Sequence, residues 1–405
     1  MVPNSEKPVV QGSDARAAFS INRAKILFLV TEDWYFVSHR LPIAVGAQAA
    51  GYEVVVATRL GQAARQLEQA GVRTIGLRYF QRASKGLWNE PRALLELIAV
   101  YRHERPDVVH HVALKPVLYG SIAARLSGVR HIVNALAGLG FVFSSRSLRA
   151  RFSRPLVRAM LRLLIRAKRG VLILQNPDDR NLLLERGIAD ESRTRLIRGA
   201  GVDVARFSPR PEPGETPLVI LASRMLWDKG VGDFVEMAAR LRGEGLRARF
   251  ALIGQSDPDN PGAVPPEQLL TWQRSGTVEW WGRREDMPEV LRRATIVTFP
   301  STYGEGVPKV LLEAAASGRA IVAYDMPGTR EIVRHKQNGL LVPPHSVAAL
   351  ADAVRALLQD DEGRRAMGKR GRAIVMDEFQ EHMVVAQTIA IYDEIVAGHR
   401  LHRAR

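Results

Sequence analysis

The 405-residue sequence contains no cysteine, which excludes a disulfide framework, thiolate catalysis and any metal site built on sulfur. Long apolar runs are also missing. The strongest stretches, Ile26 to Val30 and Ala135 to Phe143, are short or interrupted beside the ~18 consecutive apolar residues of a membrane span. Residues 1–22 have no apolar core of the signal-peptide kind; rich in Pro, Ser, Asp and Gln, they read as a flexible leader. Acidic residues are scarce beside basic ones, 42 against 58, leaving a net charge of +16. That excess implies an anionic partner: a nucleic acid, a phosphorylated substrate or an anionic membrane surface. No zinc-finger spacing or RNA-recognition aromatic motif accompanies the charge, so nucleic acid is not the expected partner.

The chain is too long for one hydrophobic core and apolar enough, at 46% hydrophobic residues, for two. Short apolar runs suited to strands buried on both faces alternate with helical spacing: Lys25 to Val30, Glu53 to Ala57, Pro106 to His110, His131 to Asn134 and Gly170 to Leu174. At Phe207 to Pro217 the composition turns to proline and polar residues, which break both periodicities. The rhythm restarts at Leu218 to Ala222, Arg249 to Ile253, Val278 to Trp281, Ile296 to Phe299 and Ala320 to Ala323. This pattern predicts an α/β chain of two Rossmann-like, doubly wound domains, 23–206 and 218–381, joined by a linker at 207–217. Ligands of such sheets bind beyond the carboxyl ends of the strands, in a cleft where the domains face each other.

Two loops follow strands in the second half. Ser223-Arg-Met-Leu-Trp-Asp-Lys-Gly230 puts Arg224 and Lys229 at the mouth of the cleft, where a planar fork and a point charge suit a diphosphate; from spacing alone, two solvated surface cations read equally well. The segment from Pro300 to Gly318 carries helix punctuation, with Pro308 at the start and Gly318 at the stop. Its geometry predicts free N–H groups near Gly306 and Val307, able to hold phosphate. Glu305 lies before that helix and Glu313 within it. As carboxylates they can accept vicinal hydroxyls, or they can be ordinary loop and helix charges.

The run from Glu305 to Glu313 resembles the E-x7-E signature of the retaining family 4 glycosyltransferases of the GT-B fold. Arg224 and Lys229 resemble that family's R-x4-K positions. Asn338-Gly-Leu-Leu-Val-Pro343 and Gly201-Val-Asp203 with Phe207 resemble its N-G-x-L-V-x and G-V-D-x-x-x-F elements. The likeness spans roughly Lys25 to the C-terminus. It implies that Glu313 binds ribose hydroxyls, that Arg224 and Lys229 bind the diphosphate, and that Glu305 with the Gly306–Val307 backbone holds the donor sugar. Glu305, Arg224 and Lys229 are then the catalytic set. It further implies a nucleotide-sugar donor, UDP-linked, with no cofactor, and retention by front-side displacement, since no enzymic nucleophile is evident. A final helix around 382–405 crossing back onto the first domain is implied as well.

The first domain departs from the family pattern: no glycine-rich loop follows its first strand, and Thr31 to Arg40 stands there instead. His39, Arg40 and the pair His110-His111 follow or end expected strands, within reach of substrate or in structural roles. Asn134 to Phe141, with Gly138 and Gly140, can be a close approach to ligand or a tight turn. These segments and Lys115 resemble the subset that extends polyprenyl-diphosphate-linked oligosaccharides with N-acetylhexosamine-type sugars. The acceptor-side candidates are thus His39, Arg40, His111, Lys115, Gly138 and Gly140.

Between Ser144 and Gly170 there is no acidic residue, while Arg151, Arg154, Arg158, Arg162 and Arg166 recur among apolar side chains. Such a basic amphipathic helix can lie in the headgroup plane, each cation contributing about 1 kcal/mol on an anionic leaflet, or it can be a solvated surface helix. A lipid-linked acceptor favours peripheral attachment to the cytoplasmic face of the inner membrane. Asp257-Pro-Asp259 superficially resembles a metal-binding D-x-D, but the GT-B likeness implies no essential metal. Alternatives are a sugar-nucleotide 2-epimerase of related fold and a catalytically silent membrane scaffold.

Overall fold

A computed structural model describes residues 24–82, 89–138, 148–165, 170–212, 216–258 and 260–403. The leader, Gly140, Arg166 and Asp259 lie outside the described residues, as do the side chains of Arg151 and Arg154.

Valine, isoleucine and leucine runs form strands buried on both faces, as a helix-covered parallel sheet requires. The first sheet contains β1 (Lys25–Glu32), β2 (Glu53–Arg59), β3 (Arg73–Gly76), β4 (Val108–Val112), β5 (His131–Leu136), β6 (Gly170–Leu174) and β7 (Thr194–Leu196). Their order is β3-β2-β1-β4-β5-β6-β7, with every pair parallel. The second contains β8 (Leu218–Ala222), β9 (Arg249–Ile253), β10 (Glu279–Trp280), β11 (Ile296–Phe299), β12 (Ala320–Tyr324) and β13 (Gly339–Val342), ordered β10-β9-β8-β11-β12-β13 and also parallel. The α/β, doubly wound expectation holds in both halves. Each order reverses once, between β1 and β4 and between β8 and β11, and at such switch points the outgoing loops part to leave a crevice.

The chain crosses between the halves twice, and the crossings touch. Val202 bridges Gln380 in parallel, and Glu381 N donates to Val202 O at 3.1 Å. Gly201 sits at φ +72, where a Cβ would stand 2.6 Å from Glu381 Cα. Only glycine combines that backbone with so close a pass. The segment after the first crossing is pinned to the second half: Arg364, 3% exposed, donates to Glu212 at 2.7 Å, and Arg372 donates to the carbonyls of Val204 and Phe207 at 3.0 Å each.

The helix Glu381–Arg403 then returns to the first half. Its Val384, Ile391 and Tyr392 are buried in one cluster with Ile26, Phe28, Val108 and Val133. Tyr392 Oη meets His110 Nδ1 at 2.6 Å, so the last helix is part of the first core.

Candidate functional site

The loops that leave β8 and β11, neighbours at the second switch point, carry the polar residues singled out in the sequence. A one-turn helix, Trp227–Lys229, closed by Gly230, turns Lys229 inward until it is 7% exposed. There its ammonium pairs with Glu305, and Ser301 Oγ donates to the same Glu305 oxygen at 3.2 Å. The ring of Tyr303 lies 4.9 Å from the ammonium and that of Phe299 5.9 Å. Burial draws the Lys229 pKa down, while the Glu305 carboxylate resists. Arg224 reaches Asp257 instead, Nη1 to Oδ2 at 2.8 Å. Arg224, Lys229 and Glu305 therefore share one end of the sheet, with each cation held by a carboxylate. A small cleft opens at Glu305, lined also by Phe299, Ser301, Tyr303, Pro308 and Gly328 among others.

The amides of Gly306 and Val307 are not free, contrary to the expectation from the helix punctuation. Gly306 N donates to Ala137 O at 3.1 Å and Val307 N to Gln175 Oε1 at 3.2 Å, both acceptors belonging to the first half. The physical reason is close approach of the two halves. Gly138, at φ +98, lets the backbones meet: a Cβ there would lie 2.6 Å from the Gly304 oxygen and the Glu305 carbonyl carbon.

Glu313 lies in the helix Lys309–Ala316, behind the loop. Burial pushes its carboxyl up to about 7 against the opposing pull of Lys309 and Arg206. Lys309 sits 3.9 Å from Glu313 and donates to the carbonyl of Ser38 across the cleft.

On the first-half side, His39 ends the helix Asp33–His39 and stacks on Tyr35 at 4.4 Å. Burial, then the nearby Lys309 and Arg40, lower the imidazole to about 3, so the ring is neutral at physiological pH. Arg40, 4% exposed, joins this helix to Leu41–Ala49. His39 and the cleft-spanning Lys309 are thereby brought together.

His111 and Lys115 are not. β4 runs on through Val112, which places His111 inside the sheet at 0% exposure. Its Nδ1 meets Asn134 Oδ1 at 2.8 Å and its Nε2 meets Tyr101 Oη at 3.0 Å. Both ring nitrogens are thus engaged in the core, a correction to its expected place at the acceptor side. Lys115 donates to Gln81 O at 2.8 Å and to Glu90 at 3.0 Å, which ties it to its own domain.

Three residues that the sequence reading passed over fix a loop of the first half or join the two halves. Asp33, 1% exposed, accepts from Gly61 N at 2.6 Å and Ala63 N at 3.1 Å and so fixes the loop after β2. Gln175 holds Val307. Lys309 spans the cleft. Asp33 and Gln175 each stand directly after a buried strand, at the sheet end where loops gather; that was the available signal.

The basic segment forms the helix Leu148–Ile165. Leu161, Leu164 and Ile165 are buried, whereas Arg162 is exposed and Leu163 is 68% exposed. Among the described residues no helix is long and apolar enough to cross a membrane, and no cluster of His, Asp and Glu has a metal-holding arrangement.

Residues 216–360 match the family described as Glycosyl transferases group 1, and residues 25–172 match that described as Glycosyl transferase 4-like. Among curated proteins, the chain is 25% identical over 370 residues to N,N'-diacetylbacillosaminyl-diphospho-undecaprenol alpha-1,3-N-acetylgalactosaminyltransferase of Campylobacter jejuni, covering 88% of this chain and 95% of that one. It is 24% identical to UDP-Gal:alpha-D-GlcNAc-diphosphoundecaprenol alpha-1,3-galactosyltransferase of Escherichia coli, over 77% of this chain and 81% of the other. The fold is shared with sucrose-phosphate synthase from Thermosynechococcus elongatus, with a TM-score of 0.77, 21% identity and coverage of 93% and 100%. It is also shared with Anabaena HepE in complex with UDP and glucose, with a TM-score of 0.73, 17% identity and coverage of 92% and 100%.

Proposed function

We propose, from the premise that the chain belongs to the GT-B glycosyltransferases of the group 1 and 4-like type, that it moves an N-acetylhexosamine-type sugar from a UDP-linked donor to a polyprenyl-diphosphate-linked saccharide during assembly of a bacterial surface or glycoprotein glycan. The observation that carries this reading is the convergence of Arg224, Lys229 and Glu305 on adjacent strand ends, with Glu313 behind them. Two curated relatives matched over most of their length act, by their names, on undecaprenyl-diphosphate-linked saccharides, and this supports the acceptor class.

In the donor complex Arg224 and Lys229 exchange their carboxylate partners for the diphosphate oxygens, which gain charge as the leaving group departs. Glu313 accepts the ribose hydroxyls. Glu305, released from Lys229, accepts hydroxyls of the transferred sugar. The bond from the anomeric carbon to the β-phosphate oxygen breaks as the bond to the acceptor oxygen forms on the same face. The acceptor proton passes to the departing phosphate, so configuration is retained without an enzymic nucleophile. His39, neutral and buried, and Arg40 border the acceptor side. The exposure of Arg162 and Leu163 on the basic helix supports peripheral attachment to an anionic leaflet, on this reading the cytoplasmic face of the inner membrane.

The test is incubation with a panel of nucleotide sugars and a short polyprenyl-diphosphate-linked saccharide, with product followed by mass spectrometry beside Glu313→Ala. Sugar transfer lost in the variant supports the reading. Free nucleotide without a glycosylated product overturns the acceptor assignment, and silence across donors overturns the activity.

A further inference from the structure

The guanidinium of Arg224 is not the only one on Asp257. Arg82, from the opposite half, donates Nη2 to Asp257 Oδ1 at 2.8 Å and to Oδ2 at 2.7 Å, the same Oδ2 that Arg224 Nη1 contacts at 2.8 Å. The Asp257 side chain is 16% exposed and each arginine side chain 33% exposed. Burial works to raise the Asp257 pKa, but the hydrogen bonds from Arg82 and then Arg224 outweigh it and hold the group anionic.

Arg82 arrives on a fixed support. The preceding Phe80 is fully buried, and the carbonyl of Gln81 accepts from Lys115, which Glu90 holds in turn. The Arg82 contact therefore depends on how closely the first half approaches the second. The Arg224 contact lies within the second half and forms without that approach.

We propose that Arg82 is a positioning residue that acts on the donor site through Asp257: on closure, Arg82 draws the Asp257 carboxylate and so loosens its hold on Arg224, easing the transfer of that guanidinium to the donor diphosphate. The proposal rests on the donor-site reading above, in which Arg224 binds the diphosphate. A carboxylate shared by two guanidiniums binds each less tightly than a carboxylate facing one. Without Arg82, Asp257 competes with the phosphate for Arg224 at full strength. With Asp257 made neutral there is no competitor, and Arg82 has nothing left to relieve.

The experiment is calorimetric binding of UDP, GDP and dTDP to the wild-type chain, Arg224→Ala, Arg82→Ala, Asp257→Asn and the Arg82→Ala/Asp257→Asn pair, with thermal melts to confirm folding. The expected result is binding about fivefold weaker in Arg82→Ala, the scale of a partly exposed ion pair, equal or tighter in Asp257→Asn, and no further loss from Arg82→Ala when Asp257 is already Asn. A purely structural role for Arg82 gives the same loss in either background, and that outcome overturns the proposal. Unchanged binding in Arg82→Ala, with binding lost in Arg224→Ala, overturns it too while leaving the donor site intact. Binding indifferent to Arg224→Ala, or absent for all three nucleotides, overturns the donor-site reading and the proposal with it.

Discussion

The ammonium of Lys229 and the carboxylate of Glu305 meet as an ion pair, although 76 residues separate them in the chain. Adjacent strands bring them together: β8 delivers one loop and β11 the other. Each is the other's partner, and on the function proposed above a diphosphate takes the cation while a sugar takes the anion.

Removing either partner is therefore expected to act on turnover more than on folding. Lys229→Gln and Glu305→Gln should each lower sugar transfer by about 10²- to 10³-fold, the scale of losing a preorganised charge aimed at a leaving group. Product formation by mass spectrometry under saturating donor checks this. Retained transfer in Lys229→Gln rules out its role on the diphosphate.

Glu313 links function and stability through its raised pKa. A carboxyl whose folded pKa lies near 7 binds its proton more tightly in the folded chain than in the unfolded one. Stability from this group is thus highest at low pH and is lost as pH rises toward and through about 7. Glu313→Gln should raise the melting temperature at about pH 8 and leave it nearly unchanged at about pH 5, with a stability gain of at most about 3 kcal/mol. The same variant should lose nucleotide binding. In the wild type, the proposed ribose contact requires UDP affinity to rise with pH across that range, since an ionised carboxylate is the better acceptor for two hydroxyls. Calorimetry at three pH values tests the second half, and an affinity that falls with pH contradicts it.

Gly138 holds the two halves at contact distance. Gly138→Ala puts a Cβ 2.6 Å from the Glu305 backbone at a φ of +98, a strained conformation for an L residue. The expected result is a wider cleft, read as a larger radius of gyration in solution scattering, and transfer lowered about 10- to 100-fold through misplacement. A compact variant of normal activity contradicts the close approach.

Much of this fold was legible from its strands. Leu218 to Ala222 and Arg249 to Ile253 coincide with β8 and β9, because a strand covered on both faces reads as an unbroken apolar run. β3, β7 and β13 were missed: they are sheet edges of four, three and four residues, Arg-Thr-Ile-Gly, Thr-Arg-Leu and Gly-Leu-Leu-Val, each only partly buried. The apolar run of β4 breaks at His110, which sets the expected strand end beside His111; polar rings inside a parallel strand imitate its end when they find buried partners, as His111 does in Tyr101 and Asn134. The second-half motifs were visible because each lies within one short stretch of chain. Contacts across the cleft, such as Arg82 to Asp257, 175 residues apart, leave no local pattern in the chain.

Tyr392→Phe probes the returning helix. It removes the partner of His110 Nδ1, whose other ring nitrogen is already buried without a hydrogen bond. A loss of about 1 to 3 kcal/mol is expected, measured by denaturant titration, with transfer by the folded variant preserved. An unchanged midpoint shows that the hydroxyl contributes nothing to that core.

Leu163, exposed beside Arg162, tests the membrane reading. Leu163→Asp should weaken co-sedimentation with vesicles containing anionic lipid and leave the melting temperature within about 1 °C, since an exposed residue contributes little to the core. Equal sedimentation of variant and wild type contradicts insertion at this helix.

The return of Glu381–Arg403 onto the first sheet also orders events during synthesis. Ile26, Phe28 and Val108 emerge from the ribosome early, but Ile391 and Tyr392, which cover them, are translated after the entire second half. At roughly 5–20 residues per second, the first domain spends many seconds with a bare apolar flank beside the growing chain. The second half, whose cores draw on 202–379 and need nothing from the last helix, is positioned to fold before the first one finishes. A nascent chain cut short near residue 380 should therefore present a completed rear half and an unfinished front.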